Sequence, residues 1–186
     1  MKTVSKILLL AIAYLAVFIL GSASGLIHPM CYAYIGAILP FLFAFIYLYT
    51  AMEIRNFGAA TVLNGFMLVV GLITGEADFS YIVGIIILTA FSEIIRLIYG
   101  YDTLKGVRVS FIPFAFSFFA YTAHWWTDTE GSLAAAVEEM PAGYDELMKP
   151  VIENIPALIF VLILTIPVSI LAIRLAIRTT KKCDLL

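Results

Sequence analysis

Charge is scarce in this chain. Of its 186 residues 13% are charged and 63% are apolar, whereas a soluble domain is nearer a quarter charged and half apolar. The 11 basic residues are scattered over short polar links, and the net charge is -2. Nucleic-acid binding needs a clustered basic surface, so no nucleic-acid partner is expected. Cysteine is almost absent: Cys31 and Cys183 stand far apart and fall on opposite sides of the topology derived below. They give no disulfide framework, and with only two distant histidines there is no zinc-ligand spacing. Enzyme signatures are missing too. There is no Walker A loop, no GxSxG, no HExxH and no credible pair of catalytic carboxylates. We therefore expect no enzyme, no cofactor and no ATP hydrolysis by this chain itself.

Apolar runs are what the chain has in abundance. A helix needs about 20 apolar residues to cross the hydrocarbon core. We expect one all-α transmembrane domain over 1–186, with six spans near 7–27, 30–49, 59–73, 81–98, 109–124 and 155–177. A long outer loop, 125–150, precedes the last span. Lys2 and Lys6 before the first run, with Gly21-Ser-Ala-Ser-Gly25 after it, also fit a cleavable signal peptide, but an uncleaved span is the expectation. Pro29 ends the first run, because proline disfavours helix in the residue before it. Pro40 should kink the second, as proline is tolerated within membrane helices.

Lysine and arginine orient the topology, because cytoplasmic loops retain them. With the N-terminus inside, ten of the 11 basic residues lie inside and only Lys149 lies outside. Six spans then place both termini in the cytoplasm. The outer side is acidic: Glu76, Asp78, Asp128 and Glu139 are among its carboxylates.

The polar stretch His124–Lys149 stands out, since it carries six of the 13 acids and opens with His124-Trp125-Trp126. An imidazole and two indoles at a membrane boundary fit an interfacial belt. They also fit an outer pocket, with indoles stacking on a flat ligand and imidazole donating, accepting or holding a metal. Candidate ligand contacts are His28, Tyr121, His124, Trp125 and Trp126, then Glu76 and Asp78; no metal ligand is assigned. The segment Ser132–Met140 has helix-favouring residues and a short apolar face. It reads as a short helix over the outer face, a lid, or else as a solvated connection, and Pro141-Ala-Gly143 stops it.

Inside the spans, Glu93 and Arg96 stand three apart on one helix face. A structural i,i+3 pair or a partner contact is the expected role. Asn64 should make an interhelical hydrogen bond. Small residues recur at helix-contact spacing: Gly21 with Gly25, Ala13 with Ala16, Ala33 with Ala37. They let backbones approach closely, either within this chain or against a partner.

The order of these features resembles the Trep_Strep family of bacterial membrane proteins, classed with the substrate-binding S components of energy-coupling factor transporters. The matching pieces are Glu53-Ile-Arg-Asn-Phe-Gly58 leading into the Gly65…Gly71…Gly75 span, then Glu93…Gly100-Tyr101…Lys105, then the 109–123 run ending near Trp125. With the long outer loop before the last span, the resemblance covers nearly the whole chain. It implies an S-component-like bundle in the bacterial cytoplasmic membrane. It implies a transmembrane coupling subunit and two cytoplasmic ATPases as partners, with a small-molecule substrate captured near the outer surface. Docking residues in such proteins often form an AxxxA pair in the first helix. Here Ala11, Ala13 and Ala16 miss that spacing, and Ala33 and Ala37 have it in the second, so Ala13, Ala16, Ala33 and Ala37 are the docking candidates. A vitamin, a vitamin precursor or a metal chelate such as haem is the substrate class this suggests. The competing expectation is an accessory membrane protein that packs against a partner and binds no small molecule.

Overall fold

In a computed structural model, residues 2–182 are described, and among them every regular element is helical. Cys183 lies outside the described residues. The first helix, α1 (Lys2–Ala23), continues through a 3-10 turn, Ser24–Leu26. His28 and Pro29 end it as the sequence requires. His28 is extended and its Nδ1 accepts from the Met30 N–H at 3.1 Å, capping α2 (Pro29–Tyr34). Pro40 sits in the first turn of α3 (Pro40–Glu53), where its missing N–H has no helical partner to lose. Residues Pro29–Ala37 and α3 therefore meet at a bend of 44°.

Next come α4 (Ala59–Thr74), α5 (Phe79–Tyr99), α6 (Leu104–Phe114) and α7 (Ser117–Thr122). Gly75, with φ of 82°, closes α4 in the left-handed conformation that glycine adopts without Cβ strain. Asp78 starts α5 by accepting the Tyr81 N–H at 2.8 Å. Pro113 lies inside α6, and the helix breaks just after it. The stretch expected as a loop is largely helical: α8 (His124–Thr127), α9 (Thr129–Glu139) and α10 (Tyr144–Glu153). The helix expected over Ser132–Met140 is α9. The last helix, α11 (Ile155–Lys182), contains Pro167.

Three segments are long and apolar enough to cross a membrane: Thr3–Leu26, Phe79–Tyr99 and Ile155–Lys181. A fourth is added if the bent pair Pro29–Ala37 and Pro40–Glu53 counts as one. The six expected spans thus become three or four by length and composition. The other two fall short for physical reasons. With 16 residues, α4 is about 24 Å long at 1.5 Å per residue, below the ~30 Å hydrocarbon thickness. The fifth run is divided between α6 and α7, and it ends at Thr122, before His124.

The outside of the bundle is apolar: Leu20, Ile73, Leu97, Phe160 and Ile163 are all more than half exposed. Such a surface suits lipid. Inside, Tyr14, Phe18, Phe43, Tyr47, Phe114 and Phe118 form a buried aromatic core, with edge-on and offset ring contacts near 5 Å. Asn64, 1% exposed, is the polar joint of the core. Its Oδ1 accepts from Tyr14 (3.0 Å) and Ser117 (3.1 Å), and its Nδ2 donates to Thr89 (2.9 Å). One side chain thus ties α1, α4, α5 and α7, the interhelical role expected of it.

Glu93 and Arg96 correct the sequence reading. No ion pair joins them among the described residues. Both are buried, and each serves a helix end. Glu93 Oε1 accepts from the Ala60 and Thr61 N–H groups at the start of α4, at 2.8 and 3.2 Å. Arg96 Nη2 donates to the Ala51 and Ile54 carbonyls where α3 ends, at 3.4 and 2.9 Å, and to the Tyr101 carbonyl at 2.7 Å. Helix ends leave N–H and C=O groups unpaired. Where water is excluded, a charged side chain that satisfies them is worth more than a lone contact with a neighbouring charge.

A candidate ligand cavity beneath the helical cap

The link between α4 and α5 meets α2, α7, α8 and α9 at the end of the bundle. Between them is a cavity of about 460 Å³, within the usual size of small-molecule sites. Its aromatic wall is Tyr32 from α2, Tyr121 from α7 and Trp125 from α8. Tyr32 meets Tyr121 and Trp125 edge-on, with ring centroids 6.4 and 6.3 Å apart. The link between α4 and α5 contributes Glu76 and Asp78, and α9 with its cap contributes Asp128, Ser132 and Glu139.

Each of these groups is placed by local sequence. Gly75 turns the chain so that Glu76 follows the end of α4, where its Oε2 accepts from the Tyr121 hydroxyl at 3.2 Å. Asp78 and Asp128 cap α5 and α9, using one oxygen each, on Tyr81 and Gly131 (3.3 Å). Ser132 lies one turn beyond Asp128 and holds His124: Nδ1 and Oγ are 2.8 Å apart, and Oγ donates to the His124 carbonyl at 3.1 Å. Ser132 has a single proton. With that proton on the carbonyl, Oγ accepts from Nδ1–H, and Nε2 is left as the acceptor nitrogen. Burial holds the imidazole pKa below its ordinary value, while the nearby Asp78, Glu76 and Asp128 carboxylates pull it the other way. The ring is therefore neutral at physiological pH.

Of the sequence candidates, Glu76, Asp78, Tyr121, His124 and Trp125 line this one cavity. His28 and Trp126 do not. His28 is an exposed helix cap. Trp126 donates its indole N–H to the Ile152 carbonyl at 3.2 Å and stacks on Tyr34, so it fastens α10 to α2. The sequence reading missed Tyr32, Asp128, Ser132 and Glu139. The last three had a signal: with Ala135 and Ala136, their spacing of 4, 3 to 4 and 3 to 4 residues marks one face of a helix. Tyr32 gave none, because an aromatic residue within an apolar run reads as lipid-facing or core. No group of three His, Cys, Asp or Glu that could hold a metal ion occurs among the described residues.

The docking candidates separate as well. Ala33 and Ala37 are buried in this chain's own packing, 0% and 7% exposed, and offer a partner no surface. Gly21 likewise packs internally, since a Cβ there would stand 2.6 Å from the Phe118 ring. Ala13 is half-buried and Ala16 is exposed on α1.

A family profile described as "Hypothetical bacterial integral membrane protein (Trep_Strep)" matches residues 1–183. No curated protein and no solved structure matches the chain.

Proposed function

We propose that this chain, which belongs to Trep_Strep, a family of bacterial integral membrane proteins, is the substrate-capture component of an energy-coupling factor importer. It sits in the cytoplasmic membrane as a six-span bundle, with both termini inside. The third and fifth crossings are completed by the links that flank α4 and by α6 and α7 together. The cavity beneath α8–α10 then opens on the outer side. It takes up a small nutrient, and α9 serves as its cover. ATP is hydrolysed by two cytoplasmic partners, and a transmembrane coupling subunit relays the change. The exposed α1 face around Ala13 and Ala16 is the surface offered to that subunit.

The observation that carries this reading is the convergence of five separately placed side chains, Glu76, Asp78, Tyr121, His124 and Trp125, on one cavity. An accessory protein that only packs against a partner has no use for such a chamber. The test is gentle purification from the native membrane followed by mass spectrometry of the extracted small molecules. A stoichiometric bound nutrient is the expected result. A protein that is empty, gains no ligand on incubation with membrane-impermeant nutrient mixtures, and keeps its behaviour in His124→Ala would sink the proposal.

A further inference from the structure

The charge of the cavity wall says what kind of molecule it takes. Four carboxylates line it, Glu76, Asp78, Asp128 and Glu139, and no lysine or arginine does. The one neighbouring ammonium on the cap, Lys149, is 3.5 Å from Asp145 on α10. Asp78 and Asp128 each use one oxygen as a helix cap and keep acceptor capacity on the other. Acids alone would describe a solvated rim. Here they surround an aromatic wall of Tyr32, Tyr121 and Trp125.

We infer that the captured molecule is a small organic cation. The inference rests on the capture reading and narrows it. A positive charge among Tyr32, Tyr121 and Trp125 gains from the negative ring faces and from the carboxylates. A ligand N–H can donate to the acceptor nitrogen of neutral His124. Electrostatic complementarity of this kind selects partners and rejects like charge. An anionic chelate such as haem would bring its propionates against four acids, so the wall disfavours it.

The test uses the full chain, purified gently and placed in lipid nanodiscs. Extracted ligand is identified by mass spectrometry, and its charge at neutral pH is assigned. Tryptophan fluorescence is then titrated with three probes of like size: benzyltrimethylammonium, neutral N,N-dimethylbenzamide and phenylacetate. The expected result is a cationic extracted ligand, or binding of the ammonium at least about tenfold tighter than the amide with no binding of phenylacetate. The double variant Glu76→Gln, Glu139→Gln should reduce that preference roughly tenfold. Asp78→Asn and Asp128→Asn should reduce it too while keeping a capping oxygen, so unchanged melting temperatures show that folding is intact. A neutral or anionic extracted ligand, or equal affinity for ammonium and amide, overturns the cation assignment and leaves capture standing. No extracted ligand and no probe binding overturns capture itself, and this inference with it.

Discussion

Two clusters of polar side chains lie in different parts of this bundle, and they have different surroundings. Glu93 and Arg96 are 3% and 0% exposed and grip backbone groups at the junction of α3, α4 and α5. The cluster around His124 lines an open chamber and leaves carboxylate oxygens without backbone partners. Both would be flagged by the rule that ionisable residues in membrane proteins are functional. The difference lies in what surrounds each group. Glu93 Oε1 and Arg96 Nη2 bind helix ends, while Glu93 Oε2, Arg96 Nε and Arg96 Nη1, unpaired among the described residues, are sealed inside the bundle. The carboxylates around His124 instead line a chamber with aromatic walls.

The comparison breaks or sharpens on substitution. Arg96→Leu should have the largest effect. It removes the donor from the Ala51, Ile54 and Tyr101 carbonyls, a loss of about 3 kcal/mol, read as a large fall in melting temperature or failure to accumulate. If Arg96→Leu melts normally and abolishes capture instead, the Glu93 and Arg96 cluster is the functional one. Asn64→Leu removes the joint between four helices. Hydrogen bonds within membranes average about 0.6 kcal/mol each, so a loss near 2 kcal/mol is expected in the same melting experiment.

On the cavity side the readout changes from stability to affinity. His124→Ala should weaken capture about tenfold, worth ~1.4 kcal/mol, with little change in melting temperature. Titration of capture against pH probes the same ring. His124 has its pKa lowered by burial, so it is neutral above that point and capture is at full strength there. Protonation as pH falls through this depressed value adds positive charge beside Glu76, Asp78, Asp128 and Glu139, and a cationic ligand is repelled. The weakening should therefore begin below the ordinary histidine value of about 6.5 and be absent in His124→Gln. The smallest effect belongs to His28→Ala. It removes one helix cap, about 1 kcal/mol, and should leave ligand affinity unchanged. A large drop in capture would return His28 to the site.

How much was legible in the sequence follows from how local each signal is. The break at His28-Pro29, the bend at Pro40 and the helix over Ser132–Met140 depend on neighbours in the chain. They read directly. The roles of Glu93 and Arg96 did not. Spacing three apart brings two side chains to one face, but it says nothing about the ends of α3 and α4 that arrive there from 32 to 45 residues earlier. His28 and His124 looked alike as boundary histidines, yet one caps its own helix and the other is held by Ser132 over a chamber. Trp125 and Trp126 are adjacent and point their indoles to different tasks, since neighbouring residues on a helix are turned about 100° apart.

Composition alone determined that this chain lives in a bilayer, because 63% apolar residues cannot be hidden inside 186. Proline determined the break at Pro29 and the bend at Pro40, because its preferences act within a turn. Only the tertiary structure decided which polar groups are already satisfied and which remain free, because hydrogen-bond partners come from distant parts of the chain.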